Sequence, residues 1–413
     1  MDNLWKIKLG ENLDKKSLEF TKAFNNYLKN YGLYEIILAA LFYSNDKNNL
    51  SLATAANLYS KNHFNITEIE TYSKCPYRYF INYGLKIERD QSFDVDNMEL
   101  GTIVHSCYEE ISKLIKDKNL EDITNEDLEN LIADNFSKSI ENNLDKARRD
   151  DPRNIFILNN IIKNTKNNSK EVLGQLKSGE FRISDVEVDF GYGKENDLPK
   201  VFVDDKNYLR GRIDRIDRAG NFLRIIDYKT GKKTFKIVNV LNGLDLQLLV
   251  YMISAKESDK EITPIGSFYM PLADELVKLN EVYEKNNLSE IYADKFRING
   301  LIVKVNEEIF KLIDKDFTDF KTMNVIDQKN TDILSLEEEE ILENFAKKLV
   351  NSYIKEIKNG NIKINPLRYN DSRNECQYCD YKGICKFDES IDFDKYRDFD
   401  SKKTIKDLEN EEI

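Results

Sequence analysis

Over residues 99–117 apolar side chains recur at helical spacing, with Val104, Tyr108, Ile111 and Ile115 in one stripe and His105 beside it. Leu18, Phe20, Phe24 and Leu28, then the run from Ile36 to Phe42, predict short helices within residues 1–62. Between Ile66 and Leu85 an aromatic helix is expected. Thr67 would open it, with Glu70 at the capping-box position, and it would carry Tyr72, Tyr77, Tyr79, Phe80 and Tyr83. Cys75 and Pro76 fall inside it, so a kink or break is predicted, because proline lacks the amide donor. Two polar helices, 124–149 and 154–177, rich in Asn, Lys and Glu, read as spacer or lid.

The period then changes to two. Val186, Val188 and Phe190, then Val201 and Val203, then Leu209 to Asp217 and Phe222 to Lys229 alternate as strands, the last two joined around Ala219, Gly220 and Asn221. A helix over 238–255, an apolar strand over 262–270, a strand around 301–305 and a charged helix over 335–358 follow. This order predicts an α/β fold, a mixed central sheet flanked by helices with helical insertions. An acidic, loose tail is expected at the end.

Hydrophobic residues at 40% and charged residues at 33%, with 22 Tyr and 22 Phe, supply a sizeable core and exclude wholesale disorder. No run approaches the roughly 18 apolar residues of a membrane span. The start MDNLWKIKLGENLDKK has no apolar signal region, so the expectation is a cytoplasmic protein without a membrane partner. The net charge of −12 argues against a general nucleic-acid coat. Between Lys200 and Lys236, however, eleven Lys or Arg face five Asp, and that local excess of about +6 is expected to form a phosphate-facing surface.

Asp227 and Lys229 are two apart on one strand, so both project from the same face. Asp214 on the preceding strand comes alongside Asp227, and two adjacent carboxylates repel unless a cation or proton neutralises them. Mg²⁺ or Mn²⁺ takes oxygen ligands, so either ion suits this pair. The bland alternative for a lone D-x-K is a surface ion pair. Gly231, Lys232, Lys233 and Thr234 imitate the tail of a phosphate-binding P-loop, but Ile226 stands where its first Gly is required, and ATP hydrolysis is not expected.

Five cysteines are too few for a secreted disulfide scaffold. Cys376, Cys379 and Cys385 form C-x2-C-x5-C, and Cys75 lies far upstream beside Pro76. Spacing leaves a zinc site and a 4Fe-4S cluster both open. Cys107, on the stripe near His105, reads as a buried thiol.

The stretch from Gly211 to Asp217, together with Ile225, Ile226, Asp227, Tyr228, Lys229, Thr230, Gly231 and Lys232, resembles the RecB-like branch of the PD-(D/E)xK nucleases. Gly101 to His105 is similar to that branch's G-x-x-x-H helix start, and Gln247 with Tyr251 to its Q-x-x-x-Y motif. C-P-Y-R-Y-F from Cys75, with the distant C-x2-C-x5-C, resembles the iron-sulfur staple of AddB-type members. The resemblance implies a restriction-endonuclease-like core and a metal-dependent deoxyribonuclease. Asp214, Asp227 and His105 would be its metal ligands, with the Tyr228 carbonyl added, Lys229 would be its catalytic lysine, and Gln247 and Tyr251 would brace the site. Glu187 would be an accessory. A 4Fe-4S cluster on Cys75, Cys376, Cys379 and Cys385 would close the domain.

The resemblance covers residues 63–390, leaving 1–62 as a helical segment, the remnant of a helicase-like region, and 391–413 as an acidic tail. It implies single-stranded DNA or DNA ends as substrate, in double-strand break repair and recombination, with an AddA-type helicase/nuclease as partner. The alternatives are a stand-alone CRISPR-associated RecB-like nuclease, a non-catalytic DNA-end scaffold and a zinc-stapled adaptor.

Overall fold

The computed structural model describes residues 6, 12–41, 45, 49–87, 94–195, 197–231, 233–258, 261–272 and 294–410. Phe42 of the expected N-terminal helix, Lys232 of the quoted motif and residues 411–413 of the tail lie outside them. At the centre is a six-stranded sheet whose order in space follows the chain: β1 (Arg182–Phe190), β2 (Gly211–Ala219), β3 (Phe222–Lys229), β4 (Thr263–Pro271), β5 (Asn299–Val303) and β6 (Asp332–Leu334). β1, β2 and β3 form an antiparallel meander, β3 and β4 run parallel, β4 and β5 antiparallel, and β5 and β6 parallel. Gly220 and Asn221 close the β2–β3 hairpin between the paired Ala219 and Phe222, and Gly220 takes φ +58°, open to a residue without Cβ.

Among the described residues, the helices that flank the sheet include α1 (Ile66–Lys74), α2 (Asn97–Asp117), α3 (Asn125–Asn143), α4 (Pro152–Ser178), α5 (Gln247–Ser258) and α6 (Leu336–Lys358). Because successive strand residues alternate, Ile225 joins the core under α1, α5 and α6, while Ile226 and Tyr228 join the core under α2, α3 and α4. Parallel strands need a crossover, and α5 supplies it between β3 and β4. α2 starts where expected because Asp96 accepts from the Met98 and Glu99 N–H groups (2.9 and 2.8 Å) and Glu99 returns its carboxylate to Asp96 N–H (3.1 Å).

Three expectations are corrected and one is met. The aromatic helix opens at Asn65, whose N–H is taken by Glu68 (3.3 Å); Glu70, freed from capping, accepts from Leu246 N–H across the core (2.9 Å). The break expected at Cys75 and Pro76 is present: the helix stops at Cys75, extended at φ −168°, and restarts with Pro76 at its first position, where the missing N–H costs nothing. The helix expected over 238–255 is two, Ile237–Leu241 and α5, because Gly243 and Asp245 hold φ of +79° and +51°. Finally, the segment after 391 is packed as far as it is described. Arg397–Asp398 pairs with the strand Leu367–Asn370, Asp400 N–H donates to Asn242 Oδ1 (2.9 Å), and Ile405 and Leu408 seat on the core beneath α6. Its few apolar residues outweigh its acidity. Among the described residues no helix is long and apolar enough to cross a membrane.

Candidate active site

The register that pairs Arg215 with Ile226 sets Asp214 opposite Asp227 at the open end of the β2–β3 hairpin. Both carboxylates are largely withdrawn from solvent, with side-chain exposures of 13% for Asp214 and 2% for Asp227. Asp214 Oδ2 accepts from Tyr228 N–H (2.7 Å) and lies 3.6 Å from His105 Nδ1, so α2 brings its histidine to the strand pair. Burial, reinforced by the charge of Asp227, pushes the Asp214 carboxyl well above the usual carboxylate range. Burial also lowers the His105 pKa, which favours the neutral imidazole that a metal ligand requires.

Lys229 touches Asp227 Oδ2 and donates to Gln247 Oε1 (3.1 Å). Gln247 Nε2 donates to Asp227 Oδ1 (2.8 Å) and to the Tyr251 hydroxyl (2.7 Å). One amide on the first turn of α5 thus fixes both active-strand residues, and Tyr251, one turn on, fixes the amide. Burial holds the Tyr251 phenol well above its ordinary pKa, so it stays protonated. The Tyr228 ring turns to the opposite face, where its hydroxyl meets Ser112 Oγ (2.8 Å) and accepts from Arg215 Nη1 (3.1 Å).

Glu187 on β1 is flanked by the pairs Val186–Arg215 and Val188–Ile213, which sets it opposite Asp214. It holds φ +52°, costly for a residue with a Cβ, and Arg212 Nη1 stands 3.5 Å from its carboxylate. Glu187, Asp214, His105, Glu109 and Thr230 line an open cleft of about 510 Å³. The cleft gives Asp214, and Glu187 beside it, an entrance from solvent.

Sequence reasoning missed the ionic cluster beneath this site. Asp217, fully buried, accepts from Arg215 Nε and Nη2 (2.8 and 2.9 Å) and from Arg224 Nε (2.9 Å). The signal was the alternation G-R-I-D-R-I-D-R, which put charges on inward positions. The same cluster corrects the basic surface expected between Lys200 and Lys236: Arg215 and Arg224 are interior, Arg212 is held by Asp189 (2.7 Å), and Lys229 and Lys233 are paired with Asp227 and Asp245.

Cys75, Cys376, Cys379 and Cys385 line one pocket with Tyr77, Ile364, Pro366 and Tyr381, an apolar patch joining the break after α1 to the C-terminal segment. Burial raises the Cys75 thiol and pushes Cys376 up to about 12. Cys107 is buried apart from them, among Ile103, Val104 and Tyr108, and burial likewise pushes its thiol up to about 12. Among the described residues, no three His, Cys, Asp or Glu side chains form a group that could hold a metal ion as they stand.

A meander that delivers two facing carboxylates and a lysine to one sheet end, with an α-helical histidine opposite, defines a nuclease architecture. The chain belongs to the PD-(D/E)XK nuclease superfamily, whose pattern it matches over residues 63–386. It is similar to the B-subunit of the ATP-dependent helicase/deoxyribonuclease of Clostridium tetani, with 31% identity over 367 residues, 83% of this chain and 32% of that protein. The protein of the same name from Thermoanaerobacter sp. is 31% identical over 402 residues, 92% of this chain and 34% of its own length. The one from Clostridioides difficile is 28% identical over 403 residues, 91% and 34% respectively. The chain therefore spans about a third of the length of the curated relatives it matches.

Proposed function

We propose that the protein is a metal-dependent deoxyribonuclease that hydrolyses phosphodiester bonds of single-stranded DNA in double-strand break repair and recombination. We further propose that it works, like the helicase/deoxyribonuclease proteins it resembles, as one component beside an AddA-type helicase/nuclease. The observation that carries the reading is the buried pair Asp214 and Asp227, two facing carboxylates with Lys229 against Asp227 and Asp214 lining a cleft open to solvent. Two carboxylates against one ammonium leave negative charge in a poorly solvated place, which calls for a cation or a proton.

The donor set, two carboxylates and a neutral imidazole, suits Mg²⁺ or Mn²⁺ held by His105, Asp214 and Asp227, with the Tyr228 carbonyl adjacent. Such an ion supplies Lewis-acid polarisation of the scissile phosphate. The chain does the rest. Lys229, its ammonium steered by Gln247 Oε1, donates hydrogen bonds that orient the attacking water. Gln247, anchored by Tyr251, holds Asp227 and Lys229 in one plane of action. Glu187 adds a carboxylate beside Asp214.

For the cysteines, four thiols in one apolar pocket fit a 4Fe-4S cluster. Cys75, Cys376, Cys379 and Cys385 would hold it, one thiolate each, in a pocket otherwise lined mainly by apolar side chains. When bound, the cluster supplies a covalent tie between the two ends of the domain.

The test is degradation of end-labelled single-stranded DNA by anaerobically purified protein with Mg²⁺, beside Asp227→Ala and Lys229→Ala. Cleavage by the parent and its loss in both folded variants is expected. A parent that binds DNA but cuts with neither Mg²⁺ nor Mn²⁺ would leave a non-catalytic scaffold.

A further inference from the structure

Beyond Lys229 the chain follows the end of the sheet. Phe235 N–H donates to Asn299 Oδ1 at the start of β5 (2.8 Å), and Ile237 N–H donates to Asp332 Oδ2 on β6 (2.9 Å). Lys229, Lys233 and Lys236 therefore mark a line from the candidate site to the far edge of the sheet. The Lys229 and Lys233 ammoniums both sit over the Tyr269 ring, 5.3 and 5.5 Å from its centre, and Lys236 opens onto a second cleft of about 590 Å³.

Four lysines from three separate segments line that cleft: Lys236, Lys329, Lys403 and Lys406. The acids that share it, Asp332 and Glu338, are each engaged by a backbone N–H, of Ile237 and of Ser335 respectively (both 2.9 Å). The lining carries two more positive than negative side chains in a protein whose net charge is −12. Lys236, Lys329 and Lys406 are exposed. Separate stretches of chain place lysines on one concavity against the overall charge; Asp332 and the neighbouring Asp407 offset Lys236 and Lys403 only in part, and the remaining positive excess favours an anion there. Three strand intervals of about 4.8 Å put the cleft on the order of 15 Å from the Asp227 end of β3. A stacked strand, at about 3.4 Å per nucleotide, covers that distance in roughly four nucleotides.

We propose that this lysine cleft is a second phosphate-binding site, gripping the backbone of a single DNA strand about four nucleotides from the bond presented to Asp214, Asp227 and Lys229. The inference rests on the nuclease reading for its ligand. Lysine meets phosphate as a point charge and reads no base edge, so the grip is independent of sequence.

The experiment measures fluorescence anisotropy of a labelled oligothymidylate 20-mer in EDTA across a salt series. It compares the parent, the triple variant Lys236→Gln/Lys329→Gln/Lys406→Gln, and the charge-matched control Lys16→Gln/Lys22→Gln/Lys138→Gln. Each phosphate contact on a single strand contributes about 0.7 to the slope of log affinity against log salt. The cleft variant should therefore lose about 2 from the slope and about 100-fold in affinity near 0.1 M salt, with the control unchanged. Parental slope and affinity in the cleft variant, or an equal loss in the control, would overturn the inference. A parent that grips DNA through these lysines yet never cuts would sink the nuclease reading alone. Normal cutting with an indifferent cleft variant would sink the inference alone, and a parent that binds no strand would sink both.

Discussion

Replacing Asp217 by Asn keeps its shape and removes its charge. The carboxylate is fully buried and takes three hydrogen bonds from Arg215 and Arg224, both themselves buried. Loss of the charge leaves two guanidiniums without an anion, and breaking a buried ion pair in this way costs about 3–5 kcal/mol. At an unfolding entropy of about 2.1 cal/mol/K per residue, a chain of 413 residues loses about 3.5–6 °C in Tm. The pH dependence has a definite sign. Burial acts to raise the Asp217 carboxyl, but the two arginines outweigh it and hold it below the usual range. A carboxyl whose folded pKa is depressed stabilises above its unfolded value of about 3.9 and stops doing so as the pH falls through the folded value. Calorimetry of parent and variant should therefore show the full difference at pH 7 and a shrinking one in acid. Since Arg215 also donates to the Tyr228 hydroxyl on the strand that carries Asp227 and Lys229, cleavage should fall with stability. The apolar triple Arg215→Met/Asp217→Leu/Arg224→Met should recover most of the Tm. A drop under 1 °C for Asp217→Asn at pH 7 would refute the reasoning.

Three further outcomes are expected. Gln247→Ala removes the amide that steers Lys229 and Asp227 and should lower cleavage by about 10- to 100-fold with DNA affinity retained, measured by single-turnover kinetics beside anisotropy. Burial pushes the Glu343 carboxyl up to about 7. A raised folded pKa means that stability falls as the pH climbs from about 4.5 to 7, so Glu343→Gln should flatten that slope and stabilise the protein by about 2–3 kcal/mol at pH 8, read from denaturant titrations. Protein purified without oxygen should be brown, and Cys376→Ser should be colourless with a lower Tm; a colourless parent containing zinc would replace the cluster with a zinc staple.

Much of the candidate site was legible because its chemistry lies on regular elements. Two residues of strand spacing put Asp227 and Lys229 on one face, four residues of helix spacing did the same for Gln247 and Tyr251, and the turn signal at Gly220 implied the hairpin that sets Asp214 opposite Asp227. The central strands were readable from alternation for the same reason. These are local consequences of backbone geometry.

What the chain alone could not decide were matters of partnership across the fold. Charge counting over Lys200–Lys236 treated every cation as surface, whereas strand alternation and the packing of α2, α3 and α4 turned Arg215 and Arg224 inward onto Asp217. A capping box fits Thr67 and Glu70 as well as Asn65 and Glu68; the second won because Glu70 is needed by Leu246 N–H, more than 170 residues on. The acidic end packs because Ile405 and Leu408 find the core under α6, and its lysines meet Lys236 and Lys329 only when the edge of the sheet brings them together. Periodicity reports which face a residue takes, and only the assembled core determines what that face meets.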